Sequence, residues 1–244
     1  MVGTRANPDK SVPSATSGVG VLDKSMAVLE AVAAATGGSS LNDLMAATEI
    51  SRATAHRLAV ALEAHGLLRR DSDGRFLLGL RLVGLGHAAA ARWPIAEAAR
   101  PALEALRIAT GESVQLYVRD GDFRVCLLSL ESQHELRTIV AEGARLPLDV
   151  GSAGRLLGSS AEQTRLSGRE GSTDWVASVE ERAPGVASVS AAVGDGSGAT
   201  VAAVGISGPV GRLGDDPGQR FGAAVLAAAA QVEAALAEGV AALG

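Results

Sequence analysis

The spacing of apolar residues changes at Pro94, and this limits what the chain can fold into more than any other feature. Before Pro94 apolar side chains recur at intervals of three and four, as on helices. After one more helical stretch they gather in strand-like runs. Two different cores are needed, and 244 residues that are 47% apolar are enough for two unequal domains. The longest apolar stretch, 221–237, is cut by Gln231 and Glu233, short of the roughly 18 uncharged residues of a bilayer span, so no membrane partner is expected. Residues 1–18, rich in Gly, Ser, Pro and Thr, read as a disordered arm without a signal peptide, and a cytoplasmic location follows by default.

Leu22, Met26, Leu29, Val32 and Ala33 predict a first helix over 21–35, stopped by Gly37-Gly38. Ser40 precedes a second short helix that ends near Thr48, and Ser51 is expected to cap a third running to His65, with Gly66 behind it. Residues 67–70 and 75–78 flank Asp71-Ser72-Asp73-Gly74 and predict a hairpin. Leu78, Leu82, Leu85 and Ala89 mark a further helix, closed at Trp93-Pro94 because the residue before proline leaves the helical region. Beyond it come a helix over 95–110, strands over 113–119, 124–130, 136–141, 186–193 and 200–207, and a last helix over 221–243. Asp120-Gly121-Asp122 and the Asp195–Gly198 segment join two of the strand pairs. The fold class is therefore α+β, with an antiparallel sheet in the second part.

The net charge of −5 hides a gradient. Residues 51–92 carry seven arginines against three acids, whereas residues 93–244 carry 12 basic and 19 acidic side chains. On a helical wheel of the third helix, Ala55, Leu58, Ala59 and Leu62 fall on one side, and Arg52, Ala53, His56 and Arg57 on the other. With Ser51 and Thr54 at its start, the outward side has what a major-groove helix needs: arginine to fork onto guanine, hydroxyls, and small residues that allow close approach. Such a face also suits an ordinary solvated helix. The order of elements favours DNA, because short helix, tight turn, second helix and arginine-flanked hairpin form a winged helix-turn-helix. Arg69, Arg70 and Arg75 would then meet phosphates or the minor groove.

The string SRATAHRLAVALEAHGLLRRDSDGRFLLGLRL resembles the N-terminal signature of IclR-type bacterial transcription regulators. ATGESVQLYVRDGD, GSAGRLL, EERAPGVASVSAAV and VGISGPVGRL follow in family order, so the likeness extends from Gly18 onward. GVGVLDKS and TAHRLAVALE are most similar to an actinobacterial branch controlling leucine and tryptophan biosynthesis and other amino-acid-linked genes, and twenty arginines against two lysines suit a GC-rich genome. The resemblance implies a winged helix-turn-helix over 19–78, a linker helix over 79–93 and a GAF-like effector domain over 94–244. It also implies a dimer or a dimer of dimers on a palindromic double-stranded operator, and a regulator, expected to be a repressor, tuned by an amino acid or small carboxylate.

Glycine-containing GSAG, at 151–154, opens a short predicted helix whose free N–H groups could meet an anion. The resemblance assigns Ser152 and Ala153 as backbone donors of an effector pocket, Leu146 and Val186 as apolar walls, and Ser178, Ser188 and Ser207 as polar lining. Each serine could equally be a turn hydroxyl bonded to its own backbone. The chain departs from the family pattern in four places. Glu49 stands where the helix-turn-helix commonly has glycine, Arg155 replaces a lysine, the stretch between Gly158 and Trp175 is short, and Gly205 stands where a pocket hydroxyl is frequent.

No cofactor and no metal are expected, because Cys126 is alone and His56, His65, His87 and His134 lack ligand spacing. An enzyme acting on a small carboxylic acid is one alternative, opposed by the absence of a Gly-x-Ser-x-Gly elbow, Ser-x-x-Lys or phosphate loop. A ligand-blind DNA-binding regulator with a degenerate pocket is the other.

Overall fold

The computed structural model describes residues 17–90, 93–158, 175–195 and 199–241, and the chain divides into two units at Trp93/Pro94. Residues 1–16 of the arm expected over 1–18, residues 91–92 of the expected linker helix, the shortened stretch over 159–174, the turn residues 196–198 and residues 242–244, at the end of the helix expected over 221–243, lie outside this set. The fold is of the α+β class, with an N-terminal helix-turn-helix and a C-terminal curled antiparallel sheet.

The first unit runs α1 (Gly20–Ala34), α2 (Leu41–Thr48), α3 (Arg52–Ala64), β1 (Leu68–Arg70), β2 (Phe76–Leu78) and α4 (Arg81–Ala90). Helix α2 starts at a capping box: the Asp43 amide donates to Ser40 Oγ at 3.2 Å and the Ser40 amide to Asp43 Oδ2 at 2.8 Å. Those bonds hold the Asp43 carboxyl below the usual carboxylate range. Ser51 is the residue before α3, but its hydroxyl donates to Thr54 Oγ1 at 3.1 Å and makes no cap bond to a backbone amide, which corrects the expected side-chain cap. Val28, Val32, Leu44, Leu58, Ala59, Leu62, Leu68 and Phe76 form the core. The hairpin closes at Asp71, whose Oδ1 accepts from the amides of Asp73 (2.9 Å) and Arg75 (2.8 Å), with Gly74 at φ 75° completing the turn. Ser39 adds a third rung, exchanging backbone bonds with Phe76.

The second unit begins with α5 (Ile95–Thr110), then β3 (Ser113–Asp120), β4 (Phe123–Leu130), β5 (Arg145–Pro147), α6 (Ser152–Gly158), β6 (Trp175–Val179), β7 (Val186–Gly194), β8 (Thr200–Pro209), α7 (Val210–Leu213) and α8 (Pro217–Ala241). Six strands form one antiparallel sheet in the order β5-β4-β3-β8-β7-β6. On one face Val114, Leu116, Val189, Ala191, Val204 and Ile206 pack with Leu103 and Leu106 of α5 and Val225, Ala229 and Val232 of α8. Helix α8 has the length and composition of a membrane span, yet this side of it lies in the core. On the opposite face an apolar cluster of Tyr117, Cys126, Val140, Leu146, Ala153, Leu157 and Ala203 adjoins a row of hydroxyls.

Two strand assignments need correction. Residues 136–141 alternate like a strand but are irregular, and the Thr138 carbonyl accepts from Ser113 Oγ at 2.7 Å instead of joining a ladder. The edge is filled by β5, and β6 at the other edge was not foreseen. The ring of Trp175 on β6 lies where a Cβ on Gly218 or Gly222 of α8 would sit, so these glycines make the notch that admits it.

The ends of β3 and β8 are clamped by charge. Glu112, only 3% exposed, accepts from Arg212 Nε at 2.6 Å and Nη2 at 2.7 Å, and these bonds push the guanidinium pKa up from its ordinary value. Gly208 must be glycine, since a Cβ there would lie 2.9 Å from Glu112 Cδ and closer still to its Oε2. Arg212→Met leaves a buried carboxylate unpaired and should destabilise the protein by about 3 kcal/mol, measured by urea unfolding of the full chain.

Candidate nucleic-acid interface and ligand pocket

Helix α3 separates its residues as the wheel requires. Ala55, Leu58, Ala59 and Leu62 are buried, while Ser51, Arg52, Ala53, His56 and Arg57 are exposed and Thr54 is half-buried. Arg52 donates to Asn42 Oδ1 of α2 at 2.9 Å, a partner that sequence reasoning missed because it lies ten residues back. The side chains of His56 and Arg57 make no hydrogen bond or ion pair with any described residue, so both stay available to an external partner.

The three hairpin arginines are not equivalent. Arg70 bonds Glu63 Oε2 at 3.1 Å and stacks over the Phe76 ring, 4.4 Å from its centroid, and Arg75 pairs with Asp43 at 3.4 Å. Only Arg69, exposed on the opposite side of β1, has no internal partner among these three. The local acids Glu63 and Asp43 thus stand within ion-pair distance of two of the cations that the sequence pattern offers to phosphate.

In the second unit the polar row comes from register. Ser178 of β6 pairs with Ser188 of β7, Ser188 with Ser207 of β8, and Gly205 of β8 lies between Ser190 and Gln115. Ser152 at the start of α6 reaches Ser188 Oγ (2.8 Å) and Ser190 Oγ (2.7 Å), Ser178 Oγ lies 3.2 Å from Ser188 Oγ, and Ser207 Oγ donates to Gln115 Oε1 at 3.0 Å. These groups, with Tyr117, Arg124, Ala153, Arg182 and Val186, surround a small pocket with an inner space of about 20 Å³. The structure thus gathers Ser152, Ala153, Ser178, Val186, Ser188 and Ser207. Leu146 is not among the lining residues: it lies on edge strand β5, opposite Arg124, in the apolar cluster of Tyr117, Cys126, Val140, Ala153 and Leu157 that borders the pocket.

Gln115, Arg124, Arg182 and Ser190 were missed. Gln115 is 1% exposed, and its Nε2 lines the pocket with no hydrogen-bond acceptor. Its signal was a lone polar residue between Val114 and Leu116, and Ser190 repeats Ser188 two residues on, on the same strand face. Arg124, 3% exposed, lies over the Tyr117 ring and donates through Nη1 to the carbonyls of Pro147 and Val150, the latter at 2.8 Å. This guanidinium explains GSAG. Gly151 takes φ 76°, and a Cβ on Gly154 would collide with Arg124 Nη1 and lie 2.7 Å from the Leu148 carbonyl. The Gly151 amide, expected to be free for an anion, instead donates to Glu181 Oε2 at 3.1 Å, and Glu181 also pairs with Arg155 at 3.2 Å. Gly205 leaves room for the Ser190 hydroxyl, with the Val189 carbonyl 2.8 Å from where its Cβ would be. Gly154→Ala should displace Arg124 and cost about 1–3 kcal/mol, read as a lowered Tm.

Burial above all, then the Glu142 charge, pushes the Cys126 thiol up to about 12, so it is no nucleophile at neutral pH. Among the described residues no three His, Cys, Asp or Glu side chains group as metal ligands.

A helix-turn-helix with a hairpin wing, carried on the same chain as a sheet unit with a buried polar pocket, defines a DNA-binding transcriptional regulator rather than an enzyme. Residues 21–72 match the IclR helix-turn-helix domain, and residues 87–169 and 169–234 match the bacterial transcriptional regulator IclR C-terminal domain; the chain belongs to the IclR family. It is 28% identical over 239 residues to the HTH-type transcriptional repressor AllR of Escherichia coli K12, covering 87% of this chain and 88% of that protein. A transcriptional regulator from Rhodococcus sp. RHA1 has a similar structure, with a TM-score of 0.69, 24% identity and coverage of 90% and 99% of the two chains. An IclR homologue from Microbacterium hydrocarbonoxydans, complexed with 4-hydroxybenzoate, also shares the fold, with a TM-score of 0.69, 19% identity and coverage of 89% and 99%.

Proposed function

We propose that the chain is a cytoplasmic repressor that inserts α3 of paired copies into successive major grooves of a palindromic operator, and that a small anionic effector in the sheet unit controls this binding. The observation that carries the DNA reading is the outward side of α3: Arg57 and His56 lack internal partners directly above a fully packed inner side. Ser51, Arg52, Ala53 and Thr54 complete the groove-facing surface. The assignment of the wing narrows to Arg69, because Arg70 and Arg75 would have to leave carboxylates to reach DNA. Repression is supported by the name of the AllR relative, and amino-acid-linked target genes by the resemblance of GVGVLDKS and TAHRLAVALE.

Pairing of copies has support in the first unit. Leu80 is 78% exposed, Val83 and Leu85 of α4 and Val21 and Leu22 of α1 are also exposed, and apolar surface of this extent favours a second copy of the chain. The linker helix α4 would then pass effector-dependent changes to the spacing of the heads. For the effector, the unmet Gln115 Nε2 donor, the serine hydroxyls and the Arg124 and Arg182 guanidinia favour an amino acid or small carboxylate. The 4-hydroxybenzoate complex of the Microbacterium homologue accords with that class. A ligand-blind regulator is the second reading, favoured by the small inner space and by the Glu181 carboxylate already on the Gly151 amide.

Arg57→Ala should weaken operator binding by about 1–3 kcal/mol and relax preference at one base pair. Arg69→Ala should weaken all duplexes alike and lower the salt slope by about 1, whereas Arg70→Ala should leave the slope unchanged. Fluorescence anisotropy across a salt series reads all three, and full operator discrimination in Arg57→Ala removes α3 from the groove. Calorimetry with small carboxylates and amino acids should give binding that Gln115→Leu weakens about tenfold or more. No heat from any of them selects the ligand-blind form.

A further inference from the structure

The turn between α2 and α3 holds a residue whose backbone and side chain pull in opposite directions. Glu49 closes α2 in the left-handed region, at φ 56° and ψ 17°, with its amide donating to the Met45 carbonyl at 3.0 Å. Only one other non-glycine described residue, Glu180, has a positive φ. The chain must turn from α2 to α3 within residues 49–51 while Ile50 tucks against the core, and the left-handed residue makes that turn. Glycine would adopt this conformation freely, and a side chain with a Cβ is strained there. The carboxylate itself is exposed and makes no hydrogen bond or ion pair with any described residue, unlike Asp43 and Glu63, which hold Arg75 and Arg70. No hydrogen bond or ion pair of this carboxylate with a described residue offsets the strain.

What it does supply is a negative charge three residues before the first residue of α3, on the turn that leads into that helix. On the reading that α3 lies in the major groove, its first turn is the end closest to the bases and to the flanking phosphates. A carboxylate there opposes the phosphate attraction that drives sequence-independent binding. We infer that Glu49 acts as an electrostatic brake on DNA attachment: it weakens the sequence-independent hold on duplex, so that long residence requires the base contacts made by α3. This rests on the α3 reading.

Two variants of the full chain separate charge from strain. Glu49→Gln keeps the side chain and the strained backbone but removes the charge, and Glu49→Gly removes both. Binding to a labelled random-sequence duplex is followed by anisotropy from low to moderate salt, with Arg57→Ala alongside on an operator obtained by selection. Both Glu49 variants should bind random duplex about threefold tighter or more near 0.1 M salt, with the gap narrowing as salt screens the charge. Tighter binding by Glu49→Gly alone, or unchanged binding by both while Arg57→Ala loses discrimination, overturns the brake and leaves α3 as the reader. If Arg57→Ala keeps full discrimination, α3 is not the reader and the brake falls with it.

Discussion

The sheet unit depends on a strict alternation by twos along β3, β7 and β8. Val114 and Leu116 face one way, and Gln115 and Tyr117 the other. Ala187, Val189 and Ala191 face the helices, while Val186, Ser188 and Ser190 face the pocket. A slip of one residue in any of these strands would put hydroxyls against Leu103 and Val225 and aliphatic side chains into the pocket, so register is held by the difference between the two faces. The Glu112–Arg212 clamp sits at the end of β3 and β8 where such a slip would begin. The polar row is thus a product of strand pairing, and the aliphatic core on the far side enforces that pairing.

In the helix-turn-helix unit part of the positive charge is paired locally. Seven arginines between 51 and 92 promise a broadly positive surface, yet Glu63 and Asp43 take up two of them, and Phe76 stacks with one of those two. Arg52 is steadied by a neutral amide, which leaves its charge uncancelled while fixing where it points. A small number of oriented cations distinguishes sequences better than a diffuse positive field, because phosphate attraction is the same for every sequence.

The helices were legible because their signals are local: Ser40 ahead of α2, the Gly37-Gly38 stop, and the three- and four-residue spacing within α3. The strands β3, β4, β7 and β8 were legible from β-rich runs, two of them separated by an Asp-Gly turn. Residues 136–141 misled because alternation is necessary for a strand but not sufficient, and here a serine side chain takes the carbonyl that a neighbouring strand would need. The pairing of Arg75 with Asp43 spans 32 residues, and that of Arg70 with Glu63 depends on how the hairpin folds back on α3, so neither shows in spacing. Of the seven pocket positions that family likeness pointed to, six line one small pocket and Leu146 lies in the apolar cluster beside it. That likeness gave no sign of Gln115 or Arg124, which look in sequence like solvent-facing positions of a half-buried strand.

The indole of Trp175 rests directly on the backbone of α8 at Gly218 and Gly222, with no side chain between to yield or rotate. An aromatic plate seated in a backbone keyway resists sliding along the helix axis much more than interdigitated aliphatic groups do. Strand β6 carries Ser178 three residues further on, so a shift of α8 drags one wall of the hydroxyl-lined cavity with it. The long C-terminal helix and that wall are therefore joined through a single aromatic contact.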